Sequence, residues 1–501
     1  MYSIFYDELT ARLYPSTLLH AYGVNGKISG SVGAIGEIGG RVAAVLHAPV
    51  GCAYHYRYSA RRRHQPFYPL LSTDLTEQEI IFGGEEKLLR TVREAWERYQ
   101  PEMIFIIPSP VSDILNEDIR SAAEQLRREG IPVTAIQSEL FSHRDKNYSR
   151  NRLREVAKQK ISGDNRLEIE LKGCGFTEAL YAMVEQVMKP QTVVPCSVNI
   201  ETVGWGGEGR AVLREMEAFL NACGITVNTW IPSAGIRALE CAPKAQLNLV
   251  KRIRWAKRMK EKFGTDYLQL NGNGRYVGLA GISRLYQDIA EKLGILPDVQ
   301  ERIREQEETV REMAAESLEY LVTRQCVLVC RGLADAPFTL KLYAKEFGVR
   351  IRAVCLLLTS EQRRSLNITR ELEEQLMGRV REAAALYAPE AEILFNPTRE
   401  SMGRVFADAD AVLGTGDFTL EGIGAPVIPA GTETTSLSFE SWLRNVRRLE
   451  SRIRNGKSRD HLLLNRLPFQ EERFTDYENR SSRAAREMWQ RMWLERKEEE
   501  T

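Results

Sequence analysis

The sequence predicts an α/β chain of three Rossmann-like parallel-sheet domains followed by a charged helical tail. Three observations predict it. Short β-branched runs alternate with longer helical patterns, the arrangement that builds parallel sheets with helices on both faces. The 501 residues, 43% of them hydrophobic, supply apolar material for several cores. At a prior of about 150 residues per domain, that length fits three. Glycine-rich turns follow the ends of several strands, where ligands sit in open α/β sheets.

The elements follow in order. Arg41-Val42-Ala43-Ala44-Val45-Leu46 is a short apolar run and reads as a buried strand over 41–46. It hands the chain to the turn His47-Ala48-Pro49-Val50-Gly51-Cys52. A helix over 85–99, a strand over 103–107, a helix over 113–128 and a strand over 132–136 continue the alternation. Lys189-Pro190 precedes a fresh strand over 192–198, so a first domain spans 1–190 and a second begins at 191. The second runs to 320 through a helix at 209–222, a strand at 225–231, a helix at 246–263 and a strand at 267–270. A charged helix over 298–321 reads as a connector. The third domain, 321–454, carries strands at 325–330, 350–357, 391–395, 411–413 and 426–429 and a helix at 371–387. In the tail, 455–501, Trp489 and Trp493 share one helical face, expected to pack on the first domain or on a partner.

A net charge of +1 gives no global field for nucleic acid or a membrane surface. No apolar stretch approaches the roughly 20 residues of a membrane span. The opening Met1-Tyr2-Ser3-Ile4-Phe5-Tyr6-Asp7-Glu8 lacks the basic region and long apolar run of a secretory signal. Eight scattered cysteines in a chain this long do not read as a disulfide framework, so a reducing cytoplasm is expected.

Several residues are candidates for chemistry. Cys52, preceded by Gly51, ends a tight Pro/Gly turn with little bulk around it, so its thiolate can approach a metal cluster. The ordinary alternative is a buried cysteine acting as a small hydrophobe. His47 at the strand end is either a hydrogen-bonding neighbour of that turn or a satisfied core histidine. Arg61, Arg62, Arg63 and His64 offer cations for an anionic substrate, or a solvated docking face. In Asn271-Gly272-Asn273-Gly274-Arg275 the glycines permit close backbone approach to a ligand lined by Asn271, Asn273 and Arg275; a plain turn is the alternative. Gly204-Trp205-Gly206-Gly207-Glu208-Gly209 fits the dinucleotide spacing, but the following strand ends Asn228-Thr229-Trp230-Ile231 without the acid that reading requires. Cys326, Cys330 and Cys355 read as core filler. No GxxxxGK[ST] loop is present, so any coupled ATP hydrolysis falls to another protein.

Val45 to Cys52 reads as two aliphatic residues, His, Ala, Pro, any residue, Gly and Cys, and Thr73-Asp74-Leu75-Thr76-Glu77-Gln78 leads into Glu79-Ile80-Ile81-Phe82-Gly83-Gly84-Glu85-Glu86-Lys87-Leu88. Together these segments resemble the component 1 family of nitrogenase. That family holds the nitrogenase catalytic subunits, the cofactor-assembly scaffold subunits and the dark-operative tetrapyrrole reductases. The likeness continues more weakly through 242–250 and 414–429. It implies the three-domain architecture and an iron–sulfur cluster ligated by Cys52. In nitrogenase each catalytic subunit supplies three cysteines to an interfacial cluster; here only the middle one remains. The first falls near Ser29 and the third near Ser109, weak or replaced ligands. A cluster usually takes four thiolates, so the resemblance implies one shared with a second component 1 type subunit in a heterotetramer. It also implies an ATP-dependent iron protein as electron donor. The family's cofactor cysteine after Leu247-Asn248-Leu249-Val250 is absent, and no histidine stands in 430–435, which argues against dinitrogen as substrate. The resemblance thus implies a reductase subunit. The alternatives are a non-catalytic scaffold for metallocluster assembly and a dinucleotide-dependent enzyme using Gly204–Gly209.

Overall fold

In the computed structural model the described residues are 26–54, 56, 68–109, 111–112, 115, 117–136, 175–202, 207–270, 276–330, 336–358, 370–414, 425–428 and 436–455. They form helices and three wholly parallel sheets, the α/β class that the alternating pattern predicts. By compactness the chain divides into two units, one within Tyr6–Tyr276 and Ser283–Arg304, the other within Val277–Ile282 and Glu305–Thr501.

The first unit holds two sheets. In the first, β1 (Val42–His47), β2 (Leu70–Ser72), β3 (Met103–Pro108) and β4 (Val133–Ala135) take the order β2-β1-β3-β4. Alternate residues of β1 and β3 serve opposite faces. Val45, Ile104 and Ile106 pack under helices Glu85–Tyr99 and Ile119–Arg128, which bury Leu88, Val92, Ala122 and Leu126. Asp118 caps the second of these helices, its carboxylate accepting from Ser121 N–H at 3.0 Å. On the other face, Leu46, Phe105 and Ile107 share a core with helices Gly26–Ile38 and Gly175–Gln186. Those helices meet at Gly30, where a Cβ would stand 2.6 Å from the Phe176 nitrogen, so the contact requires glycine.

The second sheet takes β5 (Val194–Glu201), β6 (Thr226–Ile231), β7 (Ala245–Val250) and β8 (Asp266–Gln269) in the order β6-β5-β7-β8. Here the sequence expectation needs correction. Residues 246–250 are not the start of a helix reaching 263; they lie in β7, and the helix is Ile253–Phe263. The strand is central, so its polar alternate residue is buried as well, with Asn199 Nδ2 donating to Asn248 Oδ1 at 2.8 Å. Strand β2 is an element the sequence reading lacked.

The second unit holds β9 (Gln325–Cys330), β10 (Arg350–Leu356), β11 (Glu392–Phe395), β12 (Ala411–Leu413) and β13 (Val427–Ile428) in the order β11-β10-β9-β12-β13. Cys326 and Cys355 are fully buried and Cys330 nearly so, core filler as expected. The expected connector over 298–321 is two helices, Leu296–Met313 and Ala315–Val322, interrupted at Ala314. The tail beyond 455 lies outside the described residues.

Candidate functional site

In the first sheet the chain leaves β1 for β2 on one side and then crosses to β3 on the other. The crevice between the carboxyl ends of β1 and β3 is therefore a topological switch point, the usual ligand position in open sheets. His47 pairs with Pro108 across it. Gly51 and Cys52 follow His47, and Ser109 follows Pro108, so the fold brings four candidate residues to one edge. Cys52 is partly exposed in a helical turn over 50–54, its N–H donating to Pro49 O at 3.1 Å. Tyr56 is one turn on; burial, and secondarily the adjacent Cys52, push its phenol up.

The segment after β2 clamps this turn. Ala48 donates its N–H to Thr73 Oγ1 at 3.1 Å, while its carbonyl accepts from Leu75 N–H at 3.1 Å and Ser72 Oγ at 3.2 Å. His47 is fully buried. Its Nε2 meets the Glu117 carboxylate and its Nδ1 lies 3.1 Å from Thr73 Oγ1. The carboxylate requires the hydrogen on Nε2, which leaves Nδ1 to accept from the Thr73 hydroxyl. Burial lowers the imidazole pKa and Glu117 opposes that shift, so His47 is a neutral, doubly bonded ring. The other oxygen of Glu117 accepts from Gly84 N–H. The two sequence segments that carry the family resemblance therefore meet in one hydrogen-bonded assembly around His47.

Large apolar side chains stand exposed on both segments. Val50 and Tyr54 flank Cys52, and Ile81 and Phe82 are 71% and 82% exposed at the end of helix Glu77–Phe82. Thr76 starts that helix, its N–H and hydroxyl donating to Glu79 Oε2 at 2.7 and 2.5 Å; these bonds hold the Glu79 carboxyl down at about 2.

The serine positions differ from the thiol. Ser109 is buried, and its hydroxyl accepts from Ser112 N–H at 3.2 Å while Ser109 N–H donates to Ser112 Oγ at 2.9 Å. Its oxygen thus serves a local turn. Ser29 is half-buried in helix Gly26–Ile38. Arg61, Arg62, Arg63 and His64, the stretch Asn271 to Arg275 including Asn273, and Gly204 to Gly206 lie outside the described residues. Among the described residues no group of three or more His, Cys, Asp or Glu is placed to hold a metal ion. The described donor set at this edge could supply one thiolate, from Cys52, and does not fit a complete four-thiolate site.

The second sheet has its own switch point, between β5 and β7, and charged side chains fill it. Glu201, at the end of β5, is fully buried. Its Oε2 accepts from the backbone N–H of Lys251 at 2.9 Å and of Arg252 at 3.0 Å, and from Trp255 Nε1 at 3.0 Å. Its Oε1 pairs with the Arg252 guanidinium, which also lies 4.1 Å from the Phe176 ring centroid. Glu37 accepts from the Thr202 hydroxyl. Burial pushes the Glu37 carboxyl up and holds the Lys251 ammonium down at about 8. In the stretch after Leu247–Val250, where the resemblance leads one to expect a cofactor cysteine, this chain has Lys251 and Arg252, both engaged with Glu201.

Glu117, Glu201 and Thr73 are candidate-site residues that the sequence analysis does not single out. Thr73 lies inside the motif block and was within reach. Glu117 is one acid in a run of mixed residues and carries no spacing signal.

Three wholly parallel sheets with flanking helices, and a clamped, partly exposed thiol at the switch point of the first, define an α/β protein with a candidate ligand position at a strand end. Residues 28–161 and 172–402 match the model of the nitrogenase component 1 type oxidoreductases, and the chain belongs to that family. Among curated relatives it is 27% identical over 273 residues to the nitrogenase iron-molybdenum cofactor biosynthesis protein NifE of Nostoc sp., covering 52% of this chain and 49% of that protein. It is 26% identical over 323 residues to a light-independent protochlorophyllide reductase subunit of Crocosphaera subtropica, covering 62% and 59%. The chain spans about half the length of the NifE relatives it matches. Among solved structures, nitrogenase Cp1 at pH 5 superposes with a TM-score of 0.52 at 18% identity, covering 86% of this chain and 89% of that one, which shows a common fold. No described helix is long and apolar enough to cross a membrane.

Proposed function

We propose that this chain is one subunit of a nitrogenase-like reductase of the cytoplasm. Cys52 contributes one ligand to an iron–sulfur cluster shared with a second component 1 type subunit, and an ATP-dependent iron protein supplies the electrons. The observation that carries this reading is the position of Cys52: a partly exposed thiol at the β1/β3 switch point, on a turn fixed by both motif segments. When bound, the cluster supplies one-electron transfer at low potential. The chain's own work is to hold the turn. Thr73, Ser72 and Leu75 fix Ala48, and His47 and Glu117 tie that turn to Gly84. The exposed apolar residues Val50 and Tyr54 beside the thiol, and Ile81 and Phe82 on the second motif segment, support protein docking at these segments. The absence of a cysteine after Leu247–Val250, where Lys251 and Arg252 instead engage Glu201, supports a substrate other than dinitrogen.

The likeness to a cofactor biosynthesis protein favours a second reading, a scaffold that carries a metallocluster precursor. The same thiol and docking segments serve it. Cluster release to an acceptor marks the scaffold; repeated turnover with the cluster retained marks the reductase.

The test is Cys52→Ala, co-expressed with its sister subunit and purified without oxygen. Loss of most of the iron and of the brown absorbance is expected. Wild-type iron content and an unchanged spectrum would remove Cys52 from the site.

A further inference from the structure

Glu117 joins both motif segments through one carboxylate. One oxygen accepts from Gly84 N–H and the other from His47 Nε2. The side chain is only 11% exposed, and His47 is fully buried, so these N–H groups have little water to turn to. The neighbouring bonds continue the assembly: His47 Nδ1 to Thr73 Oγ1, and Thr73 Oγ1 to Ala48 N–H. Cys52 lies four residues beyond Ala48 and is tied back to Pro49.

We propose that Glu117 is a positioning residue for the Cys52 thiol. A buried donor that loses its acceptor is unfavourable, so without this carboxylate the segments around Gly84 and His47 rearrange to regain partners. Ala48 adjoins His47 and shares Thr73 with it, so the rearrangement reaches the turn that presents Cys52. A thiol displaced in this way meets a different local field and a different solvent exposure, which changes its reactivity. The functional meaning of the proposal rests on Cys52 being a cluster ligand; the geometry does not.

The test uses Glu117→Leu, which leaves Gly84 N–H without its acceptor and His47 Nε2 without its partner in either tautomer of the ring. Alkylation of Cys52 by iodoacetamide is followed in the iron-free full chain, at one fixed pH, by mass spectrometry of its peptide. A change of about tenfold or more in the Cys52 rate is expected, with Cys326 and Cys355 protected in both proteins. In the iron-loaded complex the same variant is expected to shift the cluster's reduction potential. A lowered urea midpoint together with a wild-type alkylation rate would reduce Glu117 to a purely structural residue and overturn the proposal. If the variant does not fold, His47→Gln, which leaves the Glu117–Gly84 bond in place, is read in the same assay. A smaller change is expected, and an unchanged rate overturns the proposal equally. Retention of iron by Cys52→Ala would remove the ligand reading without touching the iron-free alkylation result, so the two failures are distinguishable.

Discussion

Gly84 lies against His47: a Cβ on residue 84 would stand 3.1 Å from the imidazole Cε1, and closer still to Leu75 Cδ2 at 2.7 Å and Glu117 Oε1 at 2.9 Å. Its backbone, at φ −107° and ψ 4°, is open to other residues, so glycine is needed here for space. Gly83 is the opposite case, with φ at 101° and no described atom within 4 Å of the place a Cβ would take. The paired glycines of the motif therefore have two separate causes. Gly84→Ala is expected to cost about 1–3 kcal/mol by overpacking, and Gly83→Ala about 1 kcal/mol or more by backbone strain. Urea unfolding measures both. Only Gly84→Ala is expected to move the His47 ring resonances; a shift of equal size in Gly83→Ala would contradict the division.

The helix at 85–99 and the strand at 411–413 were legible to the residue, because a strong apolar period or a bounded apolar run marks them. Ala245–Val250 was not. Its alternation of Leu247 and Leu249 with Gln246 and Asn248 runs into the helical period of 253–263, and the two merge in a single-sequence reading. What separates them is tertiary: Asn248 bonds Asn199 on the adjacent strand, a partner 49 residues away. The candidate site divides in the same way. Cys52, Gly51 and His47 follow from one strand and its turn. Glu117 stands 70 residues from His47 in sequence, and only the fold brings them together.

Lys251 gives the pH dependence a sign. Burial, aided by the neighbouring Arg252 charge and opposed by Glu201 and Glu37, lowers its ammonium pKa from 10.5 to about 8. Between those values the unfolded chain binds the proton and the folded chain does not, so stability rises with pH across that window. Below about 8 both states are protonated and the folded state bears the full burden of the buried charge. The rise is of the order of 3 kcal/mol if global unfolding reports the whole shift. Urea midpoints measured from pH 7.5 to 10.5 test it. Lys251→Met is expected to flatten the profile in that window, and an equally steep profile in the variant would assign the rise to other groups.

Ile81 and Phe82 are expected to act on assembly alone. They end a six-residue helix none of whose side chains is buried, so neither contributes to a core of the described chain. Truncating exposed residues of this kind changes stability by less than about 0.5 kcal/mol. Burying a large apolar side chain against a partner is worth about 1.5–3 kcal/mol, and a residue at the centre of an interface can carry much of the binding energy. Phe82→Ala is therefore expected to leave the urea midpoint unchanged and to weaken association about tenfold or more. Isothermal titration of the variant against the sister subunit and against the iron protein, each measured separately, identifies which of them covers this face. Wild-type affinity for both, with a lowered urea midpoint, would show instead that Phe82 packs against its own chain.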